Sequence, residues 1–243
     1  MEINFIGTQS IAGRCTSYII NHHILFDCGF GTVRTIRDTN LDEAIDTIII
    51  SHLHPDHVAD IIYFIITCFA KKRPSKDLQI IGPTGTKDFI KNLNLATFSG
   101  DLNDNLDEYF DYFNTVLRNL VELADGQSFA NKKLAVHAFR VIHGASNSNA
   151  YIVKLGSKVL GCTGDTSFCH ALANNIHCAP VWIIDTTHNK EIGHTKHLSL
   201  EKLEQLAKEY PVLKFYAIHG SNYRKETTCP NIFFPNDGSS ITI

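Results

Sequence analysis

The sequence predicts an α/β (α+β) fold in which two β-sheets stack face to face between outer layers of helix. Three observations carry this expectation. Strand-like runs dominate both halves of the 243 residues. Helical runs arrive only after particular strands. No linker, low-complexity tract or internal repeat divides the chain. With 44% hydrophobic residues the chain can bury a sizeable core, and residues 1–243 are expected to form a single domain.

In the first half, "INFIG", "TSYII" and "HILFD" read as strands. A glycine-bearing turn, "CGFG", leads into a short helix through "TVRTIRD", and "IDTIII" is a buried strand. The apolar run 57–70 reads as a helix, "KKRPSK" at 71–76 as a basic turn, and "LQIIG" as a further strand. "PTGTKDFIKNL" fits a helix opened by Pro83 or Thr84. In the stretch 101–123, Leu106, Phe110, Phe113 and Leu117 recur at helical spacing, as in an amphipathic helix covering the core or a pocket rim. The second half places strands at "KLAVHAFRVIH", "NAYIVKL", "SKVLGCTGD" and "PVWIID". A helix at "SLEKLEQLAKEY" and a last buried strand, "LKFYAIH", follow.

The formal net charge of −3 excludes a global basic field of the kind that drives electrostatic nucleic-acid binding, although a local patch is compatible with it. The opening "MEINFIGTQS" lacks the basic and apolar regions of a signal peptide, and the longest apolar run, "IIYFIITCFA", is too short to span a bilayer. A soluble, cytoplasmic protein with no membrane partner is expected. Seven cysteines without a C-x-x-C pair fit reduced, mostly buried thiols. Cys169, His170, His177 and Cys178 are all metal-capable types. The gap between the two pairs is loose for a zinc site, and buried thiols beside solvent-facing histidines explain them as well.

"SHLHPDHVAD" at 51–60 carries the chemistry. Loops collect His and Asp, so composition alone decides nothing; the spacing does. On an extended backbone His52 and His54 point the same way. Pro55 keeps His54 extended. Asp56 and His57 then fall in the first turn of a helix, where a carboxylate suits the dipole. Imidazoles and carboxylates converging in this way suit zinc and similar divalent ions. The second half adds three candidates where apolar runs end: His143 after "FRVI", Asp165 after "VLGCTG" and His219 after "KFYAI". The set divides into two triads and one aspartate, a pattern suited to two metals about 3.5–4 Å apart.

These residues resemble the metallo-β-lactamase-fold hydrolases. "HLHPDH" matches the family's H-x-H-x-D-H motif, and "GDT" its strand-end aspartate. The resemblance covers nearly the whole chain in motif order and implies a four-layer αββα sandwich. By analogy His52, His54 and His143 hold one metal, Asp56, His57 and His219 the other, and Asp165 bridges them. True β-lactamases of the fold commonly have cysteine where this chain has Asp165; Cys162, three residues earlier in an extended strand, faces the opposite side. "VIHGASNSNAY", "HLSLEKLEQLAKEY" and "AIHGSNYR" are closer to the ribonuclease Z-like branch. One departure is the acidic "GDLNDNLDEYFDYF" where that branch carries a glycine- and proline-rich arm gripping transfer RNA.

The resemblance implies a dinuclear metal-dependent hydrolase, a phosphodiesterase using two divalent ions, zinc or alternatively manganese. Its substrate is a phosphodiester, either a small molecule or RNA, and a homodimer is compatible with it. Asp56 would orient or deprotonate the attacking water, His197 would donate a proton to the leaving oxygen, and Arg224 would meet a substrate phosphate. The basic 71–76 turn is a further phosphate candidate, with solvated surface charge as its plainer reading. The alternatives are a carboxyl-ester or lactone hydrolase on the same metals, and a metal-binding protein without turnover.

Overall fold

The computed structural model describes residues 1–10, 14–98, 106–190, 196–220 and 226–243. The first half supplies β1 (Glu2–Gly7), β2 (Ser17–Ile20), β3 (Ile24–Phe26), α1 (Thr32–Asp38), β4 (Thr47–Ile49), α2 (Pro55–Val58) and α3 (Ile61–Ala70). It continues with β5 (Gln79–Pro83), α4 (Thr86–Thr97), α5 (Asp107–Asn119) and β6 (Val121–Leu123). Then come β7 (Ser128–Ala130), β8 (Ala135–His143), β9 (Ser146–Leu155), β10 (Lys158–Cys162), α6 (His170–Asn175) and β11 (Val181–Asp185). The last elements are α7 (Leu200–Glu209), β12 (Lys214–Ile218), β13 (Ile232–Phe233) and β14 (Ser240–Thr242).

The described strands form two seven-stranded sheets, ordered β14-β1-β2-β3-β4-β5-β6 and β13-β12-β11-β10-β9-β8-β7. Alternation along each strand decides which layer a residue joins. Ile49 and Ile81 enter the core between the sheets with Phe5, Tyr18, Phe26, Tyr151 and Ile183. Their neighbours Ile48 and Ile80 point outward, against Val33 and Ile36 of α1, Phe64 of α3 and Val116 of α5. In the second sheet Trp182, Ile184 and Phe215 pack outward on Leu172 of α6 and Leu203 of α7. Each such buried side chain is worth roughly 1.5–3 kcal/mol. The result is the expected helix–sheet–sheet–helix sandwich.

Local departures from the sequence reading have physical causes. The apolar run 57–70 is two helices, because α2 stops at Val58 and α3 begins after Asp60. The Asp60 carboxylate accepts the Val33 amide at 3.0 Å and so turns toward α1. The helix expected from Pro83 or Thr84 starts at Thr86, behind Gly85 in a left-handed conformation; Pro83 ends β5. Of the stretch 101–123, residues 101–105 lie outside the described residues, α5 covers Asp107–Asn119, and Val121–Leu123 pairs with β5 as a strand. Packing on a sheet edge overrides helical spacing there. At the second-half helix the reading holds: Ser199 caps α7 by accepting the Lys202 amide at 3.1 Å. Among the described residues no helix is long and apolar enough to cross a membrane.

The strands that matter for the site run parallel: β3, β4 and β5 in one sheet, and β10, β11 and β12 in the other. Their C-terminal ends open at the same edge of the sandwich. There Tyr151 donates its hydroxyl to the Ile50 carbonyl at 2.8 Å, and the Asn149 amide reaches the Ser51 carbonyl at 3.0 Å, bonding the sheets together.

Candidate metal centre

Every histidine and aspartate of the expected ligand set converges at this edge. His54 has φ −72° and ψ 149°, the extended conformation demanded by Pro55, which opens α2. His54 Nδ1 therefore lies 3.0 Å from His52 Nε2 and 3.0 Å from His143 Nε2, with His143 delivered by the last residue of β8. Asp56, His57, Asp165 and His219 form a second cluster. Asp165 Oδ1 lies 3.2 Å from His57 Nε2, and its Oδ2 lies 3.3 Å from His219 Nε2 and 3.8 Å from His52 Nε2. The aspartate thus stands between the two triads. Asp56 Oδ2 is 3.3 Å from His219 Nε2.

The hydrogen bonds behind these rings fix which nitrogen faces inward. Ser51 donates its hydroxyl to Asp27 Oδ2 at 2.8 Å, so its oxygen accepts from His52 Nδ1 at 3.0 Å. His57 Nδ1 donates to Asp27 Oδ2 at 2.7 Å. Thr187 donates to Asp185 Oδ1 at 2.8 Å and accepts from His219 Nδ1 at 2.9 Å. His143 Nδ1 donates to the Lys196 carbonyl at 2.8 Å. Four imidazoles are thereby set with Nδ1 protonated and an Nε2 lone pair turned to the centre. His54 is reversed: its Nε2 pairs with Ser146 Oγ at 2.9 Å and its Nδ1 faces inward.

These donors fit divalent ions. His57 Nε2 and Asp165 Oδ1 are buried polar atoms without hydrogen-bond partners, an arrangement native proteins seldom tolerate. A metal would take both. Electrostatics point the same way. Burial pushes His52, His54 and His143 below the usual histidine range, toward the neutral form that ligates. Burial opposes ionisation of Asp165, yet His57 and His219 hold its carboxyl well below the usual range. Burial likewise opposes charge on His57, but Asp165 and Asp27 draw it strongly upward. Positive charge is what this pocket asks for, and a cation would supply it.

His197 sits beside the centre with a different partner. Its Nδ1 lies 2.8 Å from Asp185 Oδ2, its ring stacks on His219 at 5.0 Å, and its side chain retains 19% exposure. Burial lowers its proton affinity, but the hydrogen bond and charge of Asp185, with Asp165 behind, raise it above the usual range. The adjoining Leu198 is buried and Ser199 caps α7, so the ring is held by packing.

Two residues of the site have a left-handed backbone. Asp27 has φ 56° and His219 φ 64°, left-handed values uncommon outside glycine. Both are tied down by backbone bonds, Asp27 to the Ile49 carbonyl at 2.8 Å and His219 to the Thr8 carbonyl at 2.7 Å. Gly164, with φ +55°, makes the close approach possible: a Cβ there would lie 2.3 Å from Ser51 Cβ.

Other candidates resolve differently. Arg224 lies outside the described residues. The basic turn 71–76 sits at the far end of α3, about 15 Å of helix from the site. Two of its cations are held by the protein itself: Arg73 donates to the Asp42 and Ile45 carbonyls, and Lys71 Nζ pairs with Asp42 at 2.7 Å. Cys169, His170, His177 and Cys178 do not assemble a ligand cluster; among the described residues such clusters occur only at the centre. Cys162 is the last residue of β10 and is buried in the core between the sheets; Asp165 lies beyond the strand, after left-handed Gly164, so strand alternation does not set its direction. The sequence reading missed Asp27, Ser51, Asp185 and Thr187. Asp27 and Asp185 each follow an apolar strand, in "HILFD" and "PVWIID", so the strand-end signal that singled out Asp165 was present for both.

The β-lactamase superfamily domain family matches residues 22–220. Over 104 residues the chain is 36% identical to the ribonuclease Z of Streptococcus uberis, a match covering 38% of this chain and 34% of that relative. The chain thus spans about a third of the length of the curated relatives it matches. Its fold is similar to the metallo-β-lactamase fold protein YhfI from Bacillus subtilis, with TM-score 0.74, 16% identity and 99% of each chain covered. It is similar also to the short form of human tRNase Z, with TM-score 0.74, 20% identity, and 100% of this chain and 99% of that one covered.

Proposed function

This chain belongs to the β-lactamase superfamily domain family, and from that membership we propose that it is a metal-dependent hydrolase cleaving phosphodiesters with two divalent ions. His52, His54 and His143 would hold one ion, Asp56, His57 and His219 the other, with Asp165 between them. The observation that carries this reading is the orientation of the imidazoles. Behind four of them a hydroxyl, carboxylate or carbonyl takes the Nδ1 proton, leaving Nε2 for a metal.

Zinc, with manganese as the alternative, would supply Lewis-acid clamping of the phosphate and a water of lowered pKa. The remaining work falls to the chain. Asp56, the most exposed carboxylate of the set at 14%, is placed to orient the attacking water or accept its proton. His197 would deliver a proton to the leaving oxygen. With Nδ1 committed to Asp185, the delivering atom is Nε2. Asp185 is then the group that stabilises the imidazolium.

The test is metal analysis combined with hydrolysis of a chromogenic phosphodiester. Close to two divalent ions per chain and phosphodiester turnover are expected, with poor turnover of a β-lactam because Asp165 occupies the place of a thiolate. Protein that takes up no metal after zinc or manganese supplementation would overturn the dinuclear reading. Turnover of lactones or carboxyl esters alone would move the activity to another ester class.

A further inference from the structure

We propose that the rim formed by Phe30, Arg34, Arg37 and Tyr63 is a binding surface for a single-stranded oligonucleotide, with a base stacked on Phe30 and backbone phosphates on the two arginines. This rests on the phosphodiesterase reading and narrows it to a substrate class.

The starting observation is Phe30, which is 74% exposed although burying such a ring is worth roughly 1.5–3 kcal/mol. Its position is forced by its neighbours. A Cβ on Gly29 would lie 1.9 Å from the Asp56 carbonyl oxygen, so only glycine lets these two backbones touch. The Cys28 amide donates to the His57 carbonyl at 2.7 Å, and the Asp60 amide donates to the Cys28 carbonyl at 3.0 Å. Phe30 therefore stands one residue, about 3.8 Å of chain, from a backbone in contact with Asp56. The exposed residue thus follows directly on a backbone packed against the loop that carries Asp56 and His57.

The cations follow directly. Helix α1 starts at Thr32 and is held beside α3 by the Val33–Asp60 hydrogen bond. Arg34 and Arg37, three residues apart on its exposed face, have Cβ atoms about 5–6 Å apart. Arg37 Nη1 donates to the Tyr63 hydroxyl at 2.8 Å, and its guanidinium carbon lies 5.9 Å from that ring's centroid. With Asp38 these side chains line a hollow of about 410 Å3. Asp38 is the one carboxylate in the lining, 3.8 Å from Arg34, and both side chains are mostly exposed. Such a pair is worth little and exchanges readily for a phosphate. Two cations against one carboxylate leave the hollow positive on a chain of net charge −3.

An exposed aromatic ring four residues before Arg34, ahead of a hollow lined by two arginines, offers the two elements by which proteins hold single strands, the ring stacking a base and the cations following the backbone. A second copy of the chain is the less suitable occupant. One exposed phenylalanine and a half-exposed tyrosine fall well short of the roughly 800 Å2 per partner of a stable dimer.

The experiment is fluorescence anisotropy of the metal-loaded protein with a labelled oligouridylate whose linkages are phosphorothioates, which keep the backbone charge and resist hydrolysis, across a salt series. Phe30→Ala should weaken binding roughly 5- to 150-fold, the range seen for loss of one stacking partner, and Phe30→Trp should restore it. Arg34→Ala with Arg37→Ala should reduce the slope of log affinity against log salt by about 1.4, about 0.7 for each phosphate no longer neutralised. Thermal melting confirms that these surface variants stay folded. Absence of binding by the wild type, or equal binding by wild type and variants, overturns the proposal. So does a dimer that Phe30→Ala converts to monomer while oligonucleotide binding persists, which would assign the rim to a second copy. Binding is read without turnover, so rim-dependent binding by a protein that hydrolyses no phosphodiester would break only the reading beneath it.

Discussion

Asp27 and Asp185, one at each sheet's edge, are built alike. Each is buried and accepts one backbone amide, one hydroxyl and one imidazole. For Asp27 these are the Ser51 amide at 2.7 Å, Ser51 Oγ at 2.8 Å and His57 Nδ1 at 2.7 Å. For Asp185 they are the Thr166 amide at 2.9 Å, Thr187 Oγ1 at 2.8 Å and His197 Nδ1 at 2.8 Å. In each case the hydroxyl passes the carboxylate's influence to a second imidazole, His52 or His219. The outcomes differ because burial differs. Both imidazoles governed by Asp27 are fully buried and face the proposed ions. Asp185 governs one buried imidazole, His219, and one that keeps access to solvent, His197. On the proposed reading, the same wiring would serve metal binding alone on one side, and metal binding plus proton delivery on the other.

His197→Ala tests that division most severely. General-acid assistance is typically worth about 10²–10⁴ in rate. We expect a loss of that order in kcat on a phosphodiester with a poor leaving group, and much less on an activated nitrophenolate. Metal content should stay near wild type; a stripped ion would make His197 a ligand and erase the contrast.

Exchanging the carboxylates sharpens the comparison. Asp27→Asn keeps a residue that tolerates positive φ while removing the charge. It should weaken metal binding by about 10–100-fold, the usual cost of losing the partner behind a ligating histidine. Asp185→Asn should weaken metal binding less, because Thr187 stands between Asp185 and His219 whereas Asp27 bonds His57 directly, and should reduce kcat on the poor leaving group. Metal titration with a chelating indicator, alongside kinetics, separates the two; equal metal loss in both variants would show that the relays are interchangeable.

A smaller effect is expected from Gly164→Ala, whose methyl would press on Ser51. Overpacking of this kind costs typically 1–3 kcal/mol, and the strained positive φ adds to it. Melting should fall and metal affinity should drop with it, since Ser51 orients His52. Of similar size is Thr187→Val, which keeps the shape of the side chain and removes the hydroxyl that accepts from His219 Nδ1. Leaving that buried group without its acceptor costs about 1–3 kcal/mol, to be seen by denaturant titration, and metal affinity should drop with it because Thr187 orients His219.

Much of this was legible in the sequence, for reasons that particular residues show. Pro55 dictates the backbone of His54, so the H-x-H-x-D-H geometry follows from local rules alone. His143, Asp165 and His219 stand where apolar strands stop, and a strand's end is a place sequence can locate. Asp27 and Asp185 carried the same signal, but a single aspartate has no spacing to distinguish a buried acceptor from a solvated turn. Their roles depend on Ser51 and Thr187, which belong to no periodic pattern. The split between α2 and α3 was hidden for a related reason. Asp60 interrupts the apolar run for a bond to Val33, a partner 27 residues away. Strand β6 was masked by helical spacing that continued past the true end of α5.

The distribution of the donors along the chain has a consequence for biosynthesis. Asp56 and His219, 3.3 Å apart in space, are separated by 163 positions in sequence, and His54 and His143 by 89. Contacts of such long range close late, after the entropy of large loops has been spent. A nascent chain that has emerged through residue 57 carries four of the donors but cannot complete either cluster. The first could close only after His143 is out, the second only after His219. Capture of the proposed ions would accordingly be a late event, and pulse-labelled intermediates should bind metal weakly until both sheets have met.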